Sequence, residues 1–339
     1  MNELIEIYKR IAPELMDVVE ERYVLLNHIS YSQPVGRRML SGLSKLSERI
    51  VRSHVELMKD NGLVEFTQQG MVLSEEGKAL LPKLGSALHE LNKINELEVL
   101  IQQALQLDKV VITSGDGQTM LKQLGFTAAK ELQDIMEAHD IIAVSGGSTM
   151  AAMADAMPQK KIQPTVIPAR GGIGERVEYQ ANVIAAVLAE QLQGNYKMLH
   201  LPDGLSEDSL KVLLQMEPQI KEIEELSNET DILIFGIGQA MHMANERHLS
   251  KELKDYLEQK QAVGEALGHY CTMDGDIVYA SNNVGITLES IKDIPHVIAV
   301  AGGREKSMAI IGIMRACKKG MLIIDDKAAE GIAEILQLR

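Results

Sequence analysis

Residues 35–62, VGRRMLSGLSKLSERIVRSHVELMKDNG, carry the pattern of two helices joined by a tight turn. Ser47 stands where a side-chain oxygen would cap the start of the second helix. Apolar residues recur every three or four positions, and these are Met39, Leu40, Leu43, Ile50, Val51, Val55, Leu57 and Met58. Asn61 and Gly62 are typical of a helix end. The stretch therefore predicts a helix-turn-helix.

A short hairpin is predicted directly after these two helices. Residues 63–66 and 71–73 are mainly apolar, and they flank Thr67-Gln-Gln-Gly70, whose glycine suits a turn. A helix pair followed by such a hairpin is a winged helix-turn-helix, whose second helix enters the major groove of DNA. We therefore expect a DNA-binding domain over residues 1–83.

Basic residues are concentrated on this helix pair, although the whole chain has a formal net charge of -14 at pH 7. Between residues 36 and 59, six basic side chains stand against two acidic ones, an excess of four positive charges. Such a basic surface favours contact with DNA phosphates. The alternative interpretation is a helical hairpin whose basic residues are only exposed to solvent. The residues expected to contact double-stranded operator DNA are Arg37, Arg38, Lys45, Ser47, Arg49, Arg52 and Ser53.

The composition allows two or three domains and argues against several classes of protein. The 339 residues are 45% hydrophobic, which is ample for a buried core. The two cysteines belong to no CxxC pattern or Cys/His cluster, so neither a disulfide scaffold nor a metal site is expected. The N-terminus lacks a secretion signal, and no apolar run is long enough for a membrane helix. A cytoplasmic protein with no membrane contact is therefore expected.

Two further helical patterns flank the helix pair and the hairpin. Residues 1–22 and residues 84–107 repeat apolar residues at three-to-four spacing. The first helix is expected to pack in a dimer or against its own domain. The second is expected to be a linker helix, whose apolar stripe forms either the core edge of the next domain or a dimer seam. A homo-oligomer is expected, with dimer and tetramer both open.

From residue 108 to residue 339, short β-branched runs alternate with helical segments. This alternation predicts a Rossmann-like α/β domain with a largely parallel sheet, in which ligands gather at the carboxyl ends of the strands. The candidate strands are residues 110–113, 141–144, 165–168, 198–201, 232–235, 277–279, 297–300 and 321–324.

Four of these strands end in glycine-rich turns, which favour an anion-binding pocket. The turns are residues 145–149, 169–174, 236–238 and 301–307. The first turn is the strongest phosphate candidate, because it would place backbone N–H groups and two hydroxyls at a helix N-terminus. The residues of that site are Gly146, Gly147, Ser148 and Thr149. Any one turn could be only a tight connection, but four at one sheet edge favour a pocket.

Basic residues near these turns suggest a ligand with two phosphates. Arg170, Arg304 and Lys306 lie in or beside the turns, and Arg247 follows the third. Arg247 and Lys306 have no evident counter-charge in the sequence. No GxGxxG follows a strand and no Walker A spacing is present, so neither a dinucleotide nor ATP is expected. A small phosphorylated metabolite fits better.

Several segments together resemble the SorC-type (DeoR-superfamily) bacterial transcription regulators. They are GRRMLS at 36–41, LSERIVR at 46–52, SGGST at 145–149, PARGG at 168–172, QAN at 180–182 and IAVAGG at 298–303, with Lys306. The resemblance spans nearly the whole chain and extends to the subfamily that represses glycolytic genes. It implies an N-terminal winged helix and a C-terminal effector domain similar to glucosamine-6-phosphate deaminase and ribose-5-phosphate isomerase.

The resemblance also implies an effector and the residues that bind it. In that subfamily the effector is fructose 1,6-bisphosphate, and the operator precedes genes for the triose-phosphate part of glycolysis. Carried onto this chain, it implies that Ser148, Thr149, Arg247 and Lys306 hold phosphate. It further implies that Arg170, Gln180 and Glu265 line or shape the pocket. No cofactor other than this effector is expected.

One departure from the enzyme relatives argues against catalysis. Where the deaminases carry Asp-Gly-His after a Gly-Ile-Gly turn, this chain has Gln239-Ala-Met241. General acid–base chemistry needs a titratable group at the reacting carbon, so we expect binding without turnover and no catalytic residues. Asp274 and Asp276 in Asp-Gly-Asp are more typical of a turn than of a catalytic pair. A regulator that responds to a monophosphorylated sugar, and a sugar-phosphate isomerase or deaminase, remain as alternatives.

Overall fold

The computed structural model describes residues 13–91, 94–113, 117–171, 176–201 and 205–338. The chain divides into two compact units, Met1–Glu96 and Leu97–Arg339. Each unit has its own hydrophobic core. The helix predicted over residues 1–22 is described from Pro13 onward, as α1 (Pro13–Ser32). The first twelve residues of that prediction lie outside the described residues.

The first unit is a winged helix-turn-helix. Its elements after α1 are α2 (Arg37–Ser44), α3 (Glu48–Asp60), β1 (Val64–Phe66), β2 (Met71–Leu73) and α4 (Glu75–Leu91). The Ser47 Oγ accepts a hydrogen bond from the Ile50 N–H, so Ser47 caps α3 as the sequence predicts. Strands β1 and β2 pair antiparallel. The helix pair and the hairpin lie where the sequence places them.

The amphipathic character of α3 determines which side chains face solvent. Val51, Val55 and Met58 of α3 are buried with residues of α1, α2 and the hairpin. Arg49 and Arg52 lie outside this core and are exposed. The helix is therefore anchored by one face and presents its basic residues on another.

The segment between the two cores contains the end of α4 and a separate helix, α5 (Ile94–Leu105). Residues 92–93 lie outside the described residues. Within the second unit, Ile101 and Leu105 of α5 are buried, and the Glu98 carboxylate accepts the Ile112 N–H at 2.7 Å. Burial raises the pKa of Glu98. The helix thus covers the edge strand Lys109–Thr113 of the sheet that follows.

The second unit is built on a parallel sheet of seven strands in the order β3-β13-β12-β7-β4-β5-β6. The strands are β3 (Lys109–Thr113), β4 (Ile141–Val144), β5 (Thr165–Pro168), β6 (Asn195–Tyr196), β7 (Ile232–Gly236), β12 (His296–Ala301) and β13 (Met321–Asp325). Its central strands are buried on both faces, as the continuous apolar runs predict.

Helices cover this sheet and its strand ends. They are α6 (Gly117–Ile135), α7 (Ser148–Ala156), α8 (Ala181–Gln191), α9 (Glu207–Met216), α10 (Pro218–Asn228), α11 (Ala240–Glu246), α12 (Lys251–Gln259), α13 (Ser307–Cys317) and α14 (Asp326–Leu336). Among the described residues, no helix is both long enough and apolar enough to cross a membrane.

A second sheet of four antiparallel strands was not foreseen. Its order is β11-β10-β9-β8, formed by β8 (Gly238–Gln239), β9 (Ala262–Ala266), β10 (His269–Thr272) and β11 (Ile277–Ala280). The predicted strand at 277–279 is real but belongs to this sheet. Asp274 and Asp276 lie in the turn before this strand, as the Asp-Gly-Asp pattern predicts. Asp274 is largely exposed and lies 3.6 Å from Arg315.

The strand predicted at residues 198–201 is wrong. The sixth parallel strand is instead β6, which precedes this segment. The Asn182 side chain accepts the Leu199 N–H at 2.9 Å and donates to the Leu199 carbonyl at 3.1 Å. Because a side chain satisfies this backbone, Leu199 is buried without joining a strand ladder.

Candidate functional site

The exposed face of the helix-turn-helix carries the residues predicted to contact DNA. Arg37, Arg49 and Ser53 are exposed. The Arg52 Nε donates to Glu56 at 2.8 Å, and Arg38 lies 3.5 Å from Glu48. Exposed ion pairs of this kind are worth at most about 1 kcal/mol, so both arginines can exchange their carboxylate for a phosphate or a base.

Two of the predicted DNA contacts have structural roles in the turn between α2 and α3. Ser47 uses its Oγ to cap α3. Lys45 ends α2 in a left-handed backbone conformation, with φ of 59°. Both residues are exposed. They shape the turn that precedes α3, whether or not they also contact DNA.

The four glycine turns of the second unit meet at one edge of the parallel sheet. They follow β4, β5, β7 and β12, which are four consecutive strands in the order of the sheet. Residues 172–174 of the second turn lie outside the described residues. Since all these strands run in one direction, their carboxyl ends share one edge, as predicted.

The turn after β4 opens onto the N-terminus of α7. Gly147 caps α7 with φ of 118°, a conformation that favours glycine, and its N–H donates to the Tyr179 carbonyl at 2.8 Å. A Cβ on Gly146 would lie 2.8 Å from the same carbonyl oxygen. Gln180 follows Tyr179 and begins α8. The predicted phosphate turn and Gln180 are therefore neighbours.

Direct hydrogen bonds join the turn after β4 to the turn after β7, and that turn to the one after β12. The Ser145 Oγ accepts the Gly236 N–H at 3.0 Å. The Gln239 Nε2 donates to the Glu305 carbonyl at 2.7 Å. The Gln239 side chain is an amide, which cannot exchange a proton near neutral pH.

A buried carboxylate lies between two arginines beside the turn after β7. Glu265 stands opposite Gly238 in the pairing of β8 and β9 and is 3% exposed. Its Oε1 lies 3.0 Å from the Arg247 Nη2 and 3.8 Å from the Arg170 Nη1, and it accepts the Gly268 N–H at 2.7 Å. The structure thus brings together three residues that are distant in sequence.

The expectation that Arg247 and Lys306 lack a counter-charge is wrong. Arg247 pairs with Glu265, which lies on β9 of the hairpin that β9 forms with β10. Burial lowers the pKa of Lys306, while the carboxylates of Glu305, Asp325 and Glu246 act in the opposite direction. The Asp325 carboxylate also accepts the Gly303 N–H at 2.9 Å. Arg304 is directed elsewhere, toward Glu330 and Glu334 of α14.

Asn283 and Asn182 were not identified as site residues from the sequence. Their side chains hydrogen-bond the backbone of segments beside this edge of the sheet. The Asn283 side chain donates to the Gly171 carbonyl at 2.8 Å, and Asn182 holds Leu199. The QAN segment was a signal for Asn182, but nothing local pointed to Asn283. Among the described residues, no cluster of His, Cys, Asp or Glu could hold a metal ion. Beside the carboxylates of Glu265 and Asp325, this edge carries amides, hydroxyls and ammonium or guanidinium groups.

Comparison with known proteins assigns the two units to families. Residues 18–88 match the "CggR N-terminal DNA binding domain", and residues 89–334 match the "Putative sugar-binding domain". The chain belongs to the SorC/DeoR-type sugar-binding regulators. This SorC-type protein is thus a DNA-binding and sugar-binding transcription regulator.

Individual relatives agree with this assignment. The chain is 36% identical to the central glycolytic genes regulator of Priestia megaterium and 35% identical to that of Bacillus subtilis, in each case over 97% of this chain and 98% of the relative. A solved SorC family regulator from Enterococcus faecalis superposes with a TM-score of 0.65 at 36% identity. The match covers 70% of this chain and 99% of that one.

Proposed function

We propose that this protein represses glycolytic genes and that a phosphorylated sugar, fructose 1,6-bisphosphate, alters its binding to operator DNA. The DNA contacts are those of α2, α3 and the turn between them, from Arg37, Arg38, Lys45, Ser47, Arg49, Arg52 and Ser53. The effector contacts are Gly146, Gly147, Ser148, Thr149, Arg170, Gln180, Arg247, Glu265 and Lys306. The names of the two relatives that match over nearly the full chain support the choice of genes.

The spacing of the two anion-binding turns carries the bisphosphate proposal. Thr149 follows β4 and Lys306 follows β12, and only β7 lies between these strands. Neighbouring strands are about 4.8 Å apart, so the two turns are separated by about 10 Å. This separation suits a hexose with a phosphate at each end. A monophosphorylated sugar would leave one of the two turns empty.

Binding without turnover is part of the proposal. The amide of Gln239 stands where the related deaminases have an acid, and it is already bonded to the Glu305 carbonyl. Incubation with fructose 6-phosphate, glucosamine 6-phosphate and ribose 5-phosphate is expected to yield no isomer and no ammonia. A product from any of these sugars would favour the isomerase or deaminase alternative.

A melting-temperature screen tests the identity of the effector. A ligand that binds only the folded protein raises the melting temperature. We expect fructose 1,6-bisphosphate to give the largest shift among mono- and bisphosphorylated sugars at equal concentration. The same sugars are then added to the protein bound to a duplex selected from a random library, and the change in DNA binding is measured for each sugar. A larger shift from a monophosphate would identify a SorC-type regulator with a different effector.

Replacing Arg49 or Arg52 with alanine is expected to weaken operator binding. The loss is about 1–3 kcal/mol if the guanidinium contacts a guanine, and it is independent of sequence if the guanidinium contacts a phosphate. Fluorescence anisotropy on the selected duplex and on a scrambled duplex, at several salt concentrations, separates these cases. Arg176→Ala, which removes an exposed arginine of the second unit, is the matched control. Parent-like binding by both α3 variants would place the DNA contact elsewhere.

We also propose that the protein acts as a symmetric dimer or tetramer. One winged helix covers only a short half-site, so a longer operator requires two copies. Light scattering of the intact chain, alone and on the selected duplex, is expected to give an even number of subunits. A monomer in both conditions would contradict this. Fructose 1,6-bisphosphate is expected to change the population of oligomers on DNA, which requires that it bind one state more tightly.

A further inference from the structure

The turn after β12 carries a carboxylate of its own. Residues Arg304–Lys306 form a single turn of 3-10 helix after Gly303, and the Glu305 side chain folds back over Gly303. A Cβ on Gly303 would overlap the Glu305 carboxyl group, whose carbon would lie 2.7 Å away. Gly303 has φ of 99°, a conformation that favours glycine. The glycine thus leaves room for a carboxylate against the backbone of this turn.

The backbone of this turn is fixed, whereas the Glu305 side chain is free to turn outward. The Glu305 carbonyl accepts the Gln239 Nε2 at 2.7 Å. The Lys306 N–H donates to the Gly303 carbonyl at 3.0 Å, and the Gly303 N–H donates to Asp325 at 2.9 Å. Glu305 itself is exposed. Its carboxylate can therefore rotate into solvent while the backbone of the turn stays in place.

Among the carboxylates near Lys306, Glu305 acts on its ammonium most strongly. Burial lowers the pKa of Lys306, whereas Glu305, Asp325 and Glu246 raise it, in that order of strength. Asp325 is 1% exposed and accepts two backbone N–H groups, so it stays in place. Glu246 acts least and lies 3.3 Å from His242 of its own helix. Glu305 is therefore the carboxylate that an incoming anion would displace.

We propose that the Glu305 carboxylate competes with one phosphate of the effector for the Lys306 ammonium, and so sets how strongly the site prefers a bisphosphate. This role rests on the proposed function, in which that turn holds one of the two phosphates. A phosphate that binds the ammonium repels the carboxylate, which rotates into solvent, and the lost pairing reduces the gain from binding. The uncharged hydroxyl of a monophosphate leaves the carboxylate in place. Glu305 therefore weakens bisphosphate binding selectively.

The Glu305→Gln variant tests the charge of this side chain separately from its size. It keeps the length of the side chain and the backbone bonds of the turn. In titration calorimetry on the intact protein, its affinity for fructose 1,6-bisphosphate is expected to rise about 2- to 5-fold, the range of an exposed ion pair. Its affinity for fructose 6-phosphate is expected to stay at the parent value. The gain for the bisphosphate should shrink at high salt, which screens exposed charges.

The pH dependence of binding supplies a readout that a purely structural role of Glu305 would not change. Since Glu305 raises the pKa of Lys306, its replacement by glutamine lowers that pKa further. The ammonium binds phosphate and is lost as the pH rises through this pKa. The alkaline loss of bisphosphate affinity is therefore expected to begin at a lower pH in Glu305→Gln than in the parent. Calorimetry on both proteins across the alkaline range measures the onset.

Two companion variants control for the loss of a carboxylate. Glu305→Asp keeps the charge, so its preference for the bisphosphate is expected to stay close to that of the parent. Glu137→Gln removes an exposed carboxylate before β4, at the opposite end of the sheet, and is expected to leave both affinities unchanged. Equal melting temperatures of the ligand-free proteins would exclude unfolding as the cause of a difference.

Two kinds of failure are distinguishable. A parent that prefers the bisphosphate, together with a Glu305→Gln variant of unchanged preference or unchanged alkaline onset, would overturn the role of Glu305 alone. An equal gain for both sugars would overturn it as well. Equal affinity of the parent for both sugars, or parent-like bisphosphate binding by Lys306→Ala, would overturn the two-phosphate site itself and the role of Glu305 with it.

Discussion

Fructose 1,6-bisphosphate is expected to bind this protein about 10- to 150-fold more tightly than fructose 6-phosphate, which corresponds to about 1.5–3 kcal/mol for one charged hydrogen-bonded contact. Each phosphate would occupy one of two turns separated by a single strand. The turn of Ser148 and Thr149 supplies N–H and hydroxyl donors at a helix N-terminus, and the turn of Lys306 supplies an ammonium. Titration calorimetry with both sugars measures the difference.

Replacing one residue in either turn is expected to remove the difference in affinity between fructose 1,6-bisphosphate and fructose 6-phosphate. Lys306→Ala and Thr149→Ala should each weaken bisphosphate binding by about 1.5–3 kcal/mol while the protein stays folded. Lys319→Ala, which removes a lysine from the opposite end of the sheet, is the control. Equal affinity of the parent for both sugars would contradict the two-phosphate site and favour the monophosphate alternative.

The pH dependence of binding gives a second check on Lys306. Burial lowers the pKa of this lysine, so its ammonium loses its proton at a lower pH than an exposed lysine does. A phosphate binds the ammonium form. Bisphosphate affinity is therefore expected to fall as the pH rises through the lowered pKa, and this alkaline loss should be absent in Lys306→Ala. Calorimetry on the parent and the variant across the alkaline range measures it.

The framework of the candidate effector site was accessible from the sequence because it depends on local patterns. Apolar β-branched runs ending in glycine predict parallel strands with tight turns, and parallel strands share one carboxyl edge. The turns after β4 and β12 were located in this way. The helix pair was also predictable, because Ser47 and the apolar spacing of α3 are local signals.

The antiparallel sheet was not predictable because its strands carry weak signals. The β9 sequence Ala-Val-Gly-Glu-Ala contains one β-branched residue, a glycine and a carboxylate. A glutamate is rarely buried without a charged partner, so the sequence alone gives no reason to place Glu265 in a buried strand. Those partners, Arg170 and Arg247, come from other elements, and only the folded chain brings them to it. The counter-charge of Arg247 was missed for the same reason.

The opposite error occurred at residues 198–201, where an apolar alternation did not form a strand. Leu199 and Leu201 are buried as the alternation predicts. A strand also requires a neighbour for its backbone groups, and here the Asn182 side chain satisfies both groups of Leu199. Hydrophobic periodicity reports burial, whereas pairing depends on contacts that are distant in sequence.

Replacing Glu265 with alanine is expected to destabilise the second unit by about 3–5 kcal/mol, because it removes the buried carboxylate that lies beside Arg170 and Arg247 and leaves the Gly268 N–H without its acceptor. Arg170 is only 7% exposed, so water cannot replace the carboxylate easily. Glu265→Gln should lose less stability, since an amide oxygen still accepts the Gly268 N–H. Urea unfolding, followed by circular dichroism, measures the free energy of unfolding for each variant.

A surface ion pair of the same unit provides the control for Glu265. Glu178 lies 3.2 Å from Arg176 and is more than half exposed. Glu178→Ala is therefore expected to change the free energy of unfolding by less than about 1 kcal/mol. Saturating bisphosphate should return part of the stability lost in Glu265→Gln, because a phosphate near Arg247 replaces the missing negative charge. Equal unfolding free energies for Glu265→Ala and Glu178→Ala would show that the buried carboxylate does not balance the two arginines.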